Sequence, residues 1–246
     1  YPEDWVFVDW APMERRGALA AEQLLLCRSL ETVAYFAGAL GDADNGRRYA
    51  GLASELREQI FREFWDEARG AFLHGKHDGE KVWDILKYPS LFGVRFGYLN
   101  DAQREAVKRG VLLNGDVQKI VTPFMRFFEL EALCEVGETD AVVREIRDYW
   151  GGMIDLGATS FWEEYDPALP PELQYDMYGD KYRKSLAHAW GAAPIYLLGK
   201  YVLGVRPVEP GYRRYRVAPQ LGGLERIEGK VPTPFGAIEV YRDRER

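Results

Sequence analysis

The 246-residue chain is long enough for one large domain, or for one domain with a small appendage. An apolar fraction of 47% and a charged fraction of 29% are those of a globular protein and exclude extended disorder. A net charge of −7 without a long block of either sign argues against a nucleic-acid partner, and no apolar run approaches the roughly 20 residues a membrane helix needs. Cys27 and Cys134 fall on expected helices without metal-ligand spacing, so they read as small buried hydrophobes; neither a metal nor a cofactor is expected.

The chain opens at Tyr1 with the string Tyr-Pro-Glu-Asp-Trp-Val-Phe-Val-Asp-Trp, which reads like the interior of a domain. Arg16 to Leu40 then carries Leu26, Leu30, Val33, Ala37 and Leu40 at spacings of three and four, one helical face, with Gly41 as the stop. A second helix follows from Tyr49 to Trp65 through Leu52, Leu56, Ile60 and Phe64. A turn and short strand over Arg69–Gly75 come next, with His74 and His77 expected at the surface. Helices are predicted again over Ser90–Tyr98 and Asp101–Leu113, with Asp101 as N-cap. Pro123 opens another at the one helical position proline tolerates well, Gly137 closes it, and Thr139 caps Asp140–Met153. After a loop from Asp155 to Tyr182, a last helix is predicted over Lys184–Leu203, kinked at Pro194.

Helices paired across loops of uneven length suggest stacked α-hairpins whose long loops carry function. Beyond Val205 the period changes to two, in Tyr215–Val217, Arg226–Glu228 and Ala237–Tyr241. Residues 205–246 are therefore expected to be a linker and a short β segment, and residues 1–204 the helical part. So few strands should need the helices for support.

The loop Gly157-Ala158-Thr159-Ser160-Phe161-Trp162-Glu163-Glu164-Tyr165-Asp166-Pro167 is the densest in chemistry. Glu163, Glu164 and Asp166 sit among Phe161, Trp162 and Tyr165. Glycoside hydrolysis needs a carboxylate beside an aromatic wall: the ring stacks on the C–H face of a pyranose, and the carboxylate activates water or attacks. The same spacing would also arise in a solvated acidic loop anchored by a buried Trp. His188-Ala189-Trp190 is a second cluster, where the imidazole is either a hydrogen-bonded structural group or a ligand contact. Asp9-Trp10 is a third, and an Asp there is by default a cap or turn former.

Taken together, Phe7-Val8-Asp9-Trp10, Thr122-Pro123-Phe124-Met125, Tyr149-Trp150-Gly151-Gly152-Met153, Gly157–Glu163, His188-Ala189-Trp190-Gly191-Ala192, Pro194–Gly199 and Gly204-Val205-Arg206-Pro207…Gly211-Tyr212 resemble, in order and separation, the α-L-rhamnosidases of glycoside hydrolase family 78. The resemblance covers nearly the whole chain. It implies a mostly α chain forming part of an (α/α)6 barrel of the six-hairpin glycosidase type, followed by a C-terminal β domain. It also implies inverting hydrolysis of terminal α-L-rhamnosides. Glu163 matches the general base, Trp10 and His188 match residues lining the sugar pocket, Trp162 and Trp190 stand beside them, and Asp9 falls within the first motif. The general acid of the family belongs to an upstream segment rich in Cys-Pro, Arg-Asp-Glu and Gly-Trp, a string these residues do not contain. Glu164 stands where a basic residue commonly follows the catalytic glutamate.

Two further readings remain open: another (α/α)6 glycosidase, or a sugar-binding or structural fragment without turnover. The expected partners are a carbohydrate, an L-rhamnoside above all, and no nucleic acid or membrane. Uncovered apolar helix faces are expected to meet a second copy or the N-terminal part of the same protein.

Overall fold

The computed structural model describes residues 6–244, so the first five residues of the opening string and the last two of the expected β segment lie outside it. The chain divides into two compact units at Ile120/Val121. Among the described residues no helix is long and apolar enough to cross a membrane.

The first unit begins with a short strand β1 (Ala18–Leu19) and two long helices, α1 (Ala20–Ala39) and α2 (Ala43–Phe64), which pack on each other as a hairpin. Gly41, at φ 80°, makes the turn. Its N–H donates to Gly38 O at 3.2 Å and Asp42 N–H to Ala37 O at 2.8 Å, the paired bonds of a Schellman stop. Asp42 then caps α2 by accepting from Asn45 N–H.

The apolar face read from the sequence is only partly turned inward, Ala37 being its one buried member. α1 buries Ala20, Ala21, Leu24, Cys27 and Ala37, whereas Leu26, Val33 and Leu40 are 49%, 43% and 84% exposed, with Leu25 and Phe36 beside them. Periodicity reveals a face and not what covers it: α2 and α3 (Lys87–Arg95) approach α1 on its small residues instead.

Between α2 and α3 lie β2 (Trp65–Asp66) with β3 (Ala71–Phe72), and β4 (Gly75–His77) with β5 (Glu80–Val82), β4 also pairing with β1. That pairing corrects the expectation for His74. It is 1% exposed, its N–H donates to Asp84 O, its carbonyl accepts from Ala20, and its ring Nε2 lies 2.6 Å from Glu14 O. His77 is half-buried beside Asp78. Helix α4 (Asp101–Val107) is capped one residue earlier than read, by Asn100 in a reciprocal box with Gln103, and runs into a π turn at Lys108–Leu112.

The second unit starts as the sequence says. Thr122 Oγ1 accepts from Met125 N–H and Pro123 takes the first helical position of α5 (Pro123–Glu135), which Gly137 stops. Helix α6 (Thr139–Glu145) continues through a π turn, Ile146–Trp150, into α7 (Gly151–Asp155). The wider turn lets two successive rings, Tyr149 and Trp150, both be buried, 4.9 Å apart and edge to face.

The predicted last helix is much shorter than Lys184–Leu203. Only α8 (Ala193–Leu197) and its π continuation Leu198–Val202 are helical, preceded by a single 3-10 turn at Ala189–Gly191. Residues 184–188 are irregular because their backbone groups are bonded to a distant segment, described below. Strands β6 (Val205–Pro207) and β7 (Tyr215–Val217) pair antiparallel, as do β8 (Arg226–Thr233) and β9 (Gly236–Asp243). Both β6 and β8 pack on the π continuation, and Ile227 and Val240 are the buried anchors of the β8–β9 hairpin.

Candidate active site

The residues singled out from sequence fall in both units. In the first, Asp9 is fully buried. Its Oδ2 accepts from Tyr88 OH at 2.7 Å and its Oδ1 from Trp10 N–H at 2.9 Å. Shut off from solvent, Asp9 shapes the turn that presents the half-buried Trp10, whose ring meets Phe7 edge-on at 6.3 Å.

The second unit builds the carboxylate centre from two segments, 161–163 and 185–191. Gly157, at φ 88°, ends α7 and releases the chain into the loop. The backbone of Glu163 and one of its carboxylate oxygens are then engaged by the other segment. Its N–H donates to Ser185 O at 2.9 Å, its carbonyl accepts from Trp190 Nε1 at 2.8 Å, and its Oε2 accepts from Ser185 N–H at 3.0 Å. A further bond from His188 N–H to Phe161 O, 2.7 Å long, closes the clasp. Beneath it, Trp150 Nε1 donates to Gly191 O at 2.7 Å.

His188 sits in extended backbone rather than on a helix, so its ring turns toward the carboxylate: Nδ1 is 3.9 Å from Glu163 Oε2. The Trp190 ring lies 4.5 Å from the imidazole centroid and is stacked on Phe124 at 5.4 Å and 20°. With the Glu163 side chain 13% and the His188 side chain 33% exposed, a carboxylate, an imidazole and an aromatic ring converge at a partly open surface.

Trp162 does not join them. It is 2% exposed and packs on Tyr175 at 5.7 Å. Adjacent side chains of an extended segment face opposite ways, so Glu163 toward solvent requires Trp162 toward the interior. It anchors the clasp and offers no open wall. A cavity of 230 Å³ lies against the same loop, lined by Trp150, Met153, Ile154, Thr159 and Phe161.

The acid at position 164 finds its cation elsewhere. Lys184, with only 1% of its side chain exposed, brings Nζ to 3.7 Å from Glu164 Oε2. Burial pushes the Glu164 carboxyl above its ordinary range, Lys184 opposes that shift, and the charges of Asp166 and Glu163 add to it. Asp166 is held in the loop by Gln174, whose Nε2 donates to the Asp166 and Leu169 carbonyls. Ser185, Lys184 and Gln174 were not singled out from the sequence. The short basic run Lys181-Tyr182-Arg183-Lys184 following an acidic loop was the available signal for the ion pair. Backbone partners such as Ser185 leave none. Among the described residues no cluster of His, Cys, Asp and Glu could hold a metal ion.

Residues 2–202 match the bacterial alpha-L-rhamnosidase 6 hairpin glycosidase domain, and residues 204–245 the bacterial alpha-L-rhamnosidase C-terminal domain. The chain belongs to the bacterial α-L-rhamnosidase six-hairpin glycosidase family. An alpha-L-rhamnosidase of Alteromonas sp. (strain LOR) is 33% identical over 208 residues, 82% of this chain and 21% of that protein. The crystal structure of a GH78 family rhamnosidase of Bacillus sp. GL1 superposes with a TM-score of 0.82 at 31% identity, over 96% of this chain and 25% of that one. A Streptomyces avermitilis α-L-rhamnosidase complexed with L-rhamnose shares the fold, with a TM-score of 0.68 at 20% identity over 90% of this chain and 21% of that one. The chain thus spans about a fifth to a quarter of these relatives. Membership in this six-hairpin family, with a mostly helical chain ending in short strands, is as the sequence motifs implied.

Proposed function

We propose that this chain carries the water-activating half of an inverting α-L-rhamnosidase centre, with Glu163 as general base and His188 and Trp190 as walls for the terminal sugar. The observation that carries the reading is the clasp on Glu163. A carboxylate fixed by a backbone N–H and flanked by an imidazole and a tryptophan can take a proton from water while the ring lies on a pyranose face. The relatives' names and the L-rhamnose held by the Streptomyces protein support rhamnose as the sugar.

Inversion requires a second carboxyl group, the acid, roughly 6.5–9.5 Å from the base with water between them. Glu164 is occupied by Lys184 and does not fill that role. The acid comes from the upstream segment that the family resemblance implies. The 246-residue chain alone therefore binds rhamnose weakly and hydrolyses an aryl α-L-rhamnoside little or not at all.

The deciding experiment is Glu163→Gln in a protein that also carries the upstream segment, measuring kcat and rhamnose affinity on one preparation. Loss of a positioned base lowers kcat by about 10²–10⁴ while affinity holds. Near-normal turnover would end the assignment, and robust turnover by the 246-residue chain would show the acid to be misplaced.

A further inference from the structure

The second unit contains another cleft, of 440 Å³, which shares no lining residue with the Glu163 centre. It lies between the last helix and the C-terminal strands, and Tyr196, Gly199, Lys200, Arg206, Tyr212 and Val231 are among its walls. Its volume is within the range of small-molecule sites, about 300–1,000 Å³.

What sets this cleft apart is the polar framework behind it. Glu131 on α5 is 1% exposed, and its Oε1 accepts from Tyr196 OH at 3.0 Å and Lys200 Nζ at 2.7 Å, with the Tyr201 hydroxyl oxygen 3.2 Å away. Lys200 also donates to Tyr196 OH at 2.8 Å. Tyr201 OH donates to Glu135, and the Arg206 guanidinium lies 4.3 Å over the Tyr201 ring with Nη1 3.8 Å from Glu135.

Two consequences follow. The rings are held by their hydroxyls before any ligand arrives, so Tyr196, still 43% exposed, is a preset aromatic surface. Each cation meets one buried or half-buried carboxylate, so the cleft presents N–H donors without net charge. Aromatic and apolar walls with charge-balanced donors suit a ligand that has an apolar C–H face and many hydroxyl acceptors, and offer an anion no excess of positive charge.

We propose that this cleft is a second saccharide site, binding a neutral pyranose apart from the Glu163 centre. The test is titration of the ¹⁵N-labelled chain with methyl α-L-rhamnopyranoside and, separately, methyl β-D-galactopyranoside, which differ in hydroxyl configuration. At least one sugar shifts the amides of Gly199, Val205 and Val231 and saturates in the millimolar range. Gly199→Leu adds a side chain to the cleft wall, where a β-carbon stands 3.9 Å from Val231 Cγ2. It weakens that binding at least tenfold, with the amide spectrum otherwise folded. Tyr212→Ala, away from the network, weakens it as well.

No shift at these amides with either sugar would overturn the proposal, as would unchanged binding in Gly199→Leu. Shifts confined to Ser185, His188 and Trp190 would overturn it while leaving the Glu163 reading intact. Shifts at the cleft alone would do the reverse.

Discussion

Replacing Lys184 by Met keeps the stem of a buried side chain and removes its charge. With Nζ 3.7 Å from Glu164 Oε2, the gross attraction is about 4 kcal/mol at the effective dielectric of a protein surface. Most of that is offset by the desolvation of the two groups. The truncation cost lies between the roughly 0.2–1 kcal/mol of an exposed pair and the 3–5 kcal/mol of a fully buried one. Because Glu164 keeps 24% of its side chain exposed and can recruit water, we expect about 1–3 kcal/mol at pH 7.

The pH dependence gives the sign. The Glu164 carboxyl is already raised by burial, so its own contribution favours the fold below the ordinary carboxylate range and is lost as pH rises through its folded value. Without Lys184 that loss deepens at neutral pH, while a protonated Glu164 misses no cation. The penalty of Lys184→Met therefore shrinks from pH 7 to pH 4. Denaturant unfolding of Lys184→Met, Glu164→Gln and the double variant at both pH values reads it directly, with the double variant costing less than the sum. A penalty equal at the two pH values, or a coupling within about 0.3 kcal/mol of zero, would refute the pairing.

Two other perturbations probe the clasp and the first unit. Gly191→Ala places a β-carbon 2.9 Å from Phe161 Cβ and 3.0 Å from Trp162 O, so it should cost about 1–3 kcal/mol and displace the segment bearing Glu163. An unchanged unfolding midpoint and rhamnose affinity would contradict the close contact. The stripe of Leu25, Leu26, Val33, Phe36 and Leu40 on α1 should make the isolated chain self-associate, and Leu26→Glu with Phe36→Glu should return it to the monomer mass in light scattering. A wild-type chain that stays monomeric at high concentration would show that the stripe draws in no second copy.

The parts legible in the sequence are those decided by neighbours in the chain. Pro123 starts a helix that Gly137 stops, and Gly41 stops another, because helix starts and left-handed stops need only local bonds. The segment before α8 was misread for the opposite reason. Its residues are compatible with a helix, but Ser185 and His188 spend their N–H groups on Glu163 and Phe161, which no local period can register. His74 was misplaced likewise, since the carbonyl beside its ring belongs to Glu14. Of the residues that the motifs named, the structure brings Glu163, His188 and Trp190 together. The motifs could not tell that Trp162 and Asp9 serve from the interior, because a buried support and an exposed wall share a spelling.

The bonds that hold Glu163 pin the chain immediately before and after the stretch from 164 to 184, so that stretch leaves and returns at two points only a hydrogen bond apart. Lengthening such an excursion costs about 0.6 kcal/mol for each doubling. Lineages can therefore exchange its contents, and with them whatever the loop touches, without moving the carboxylate at its root.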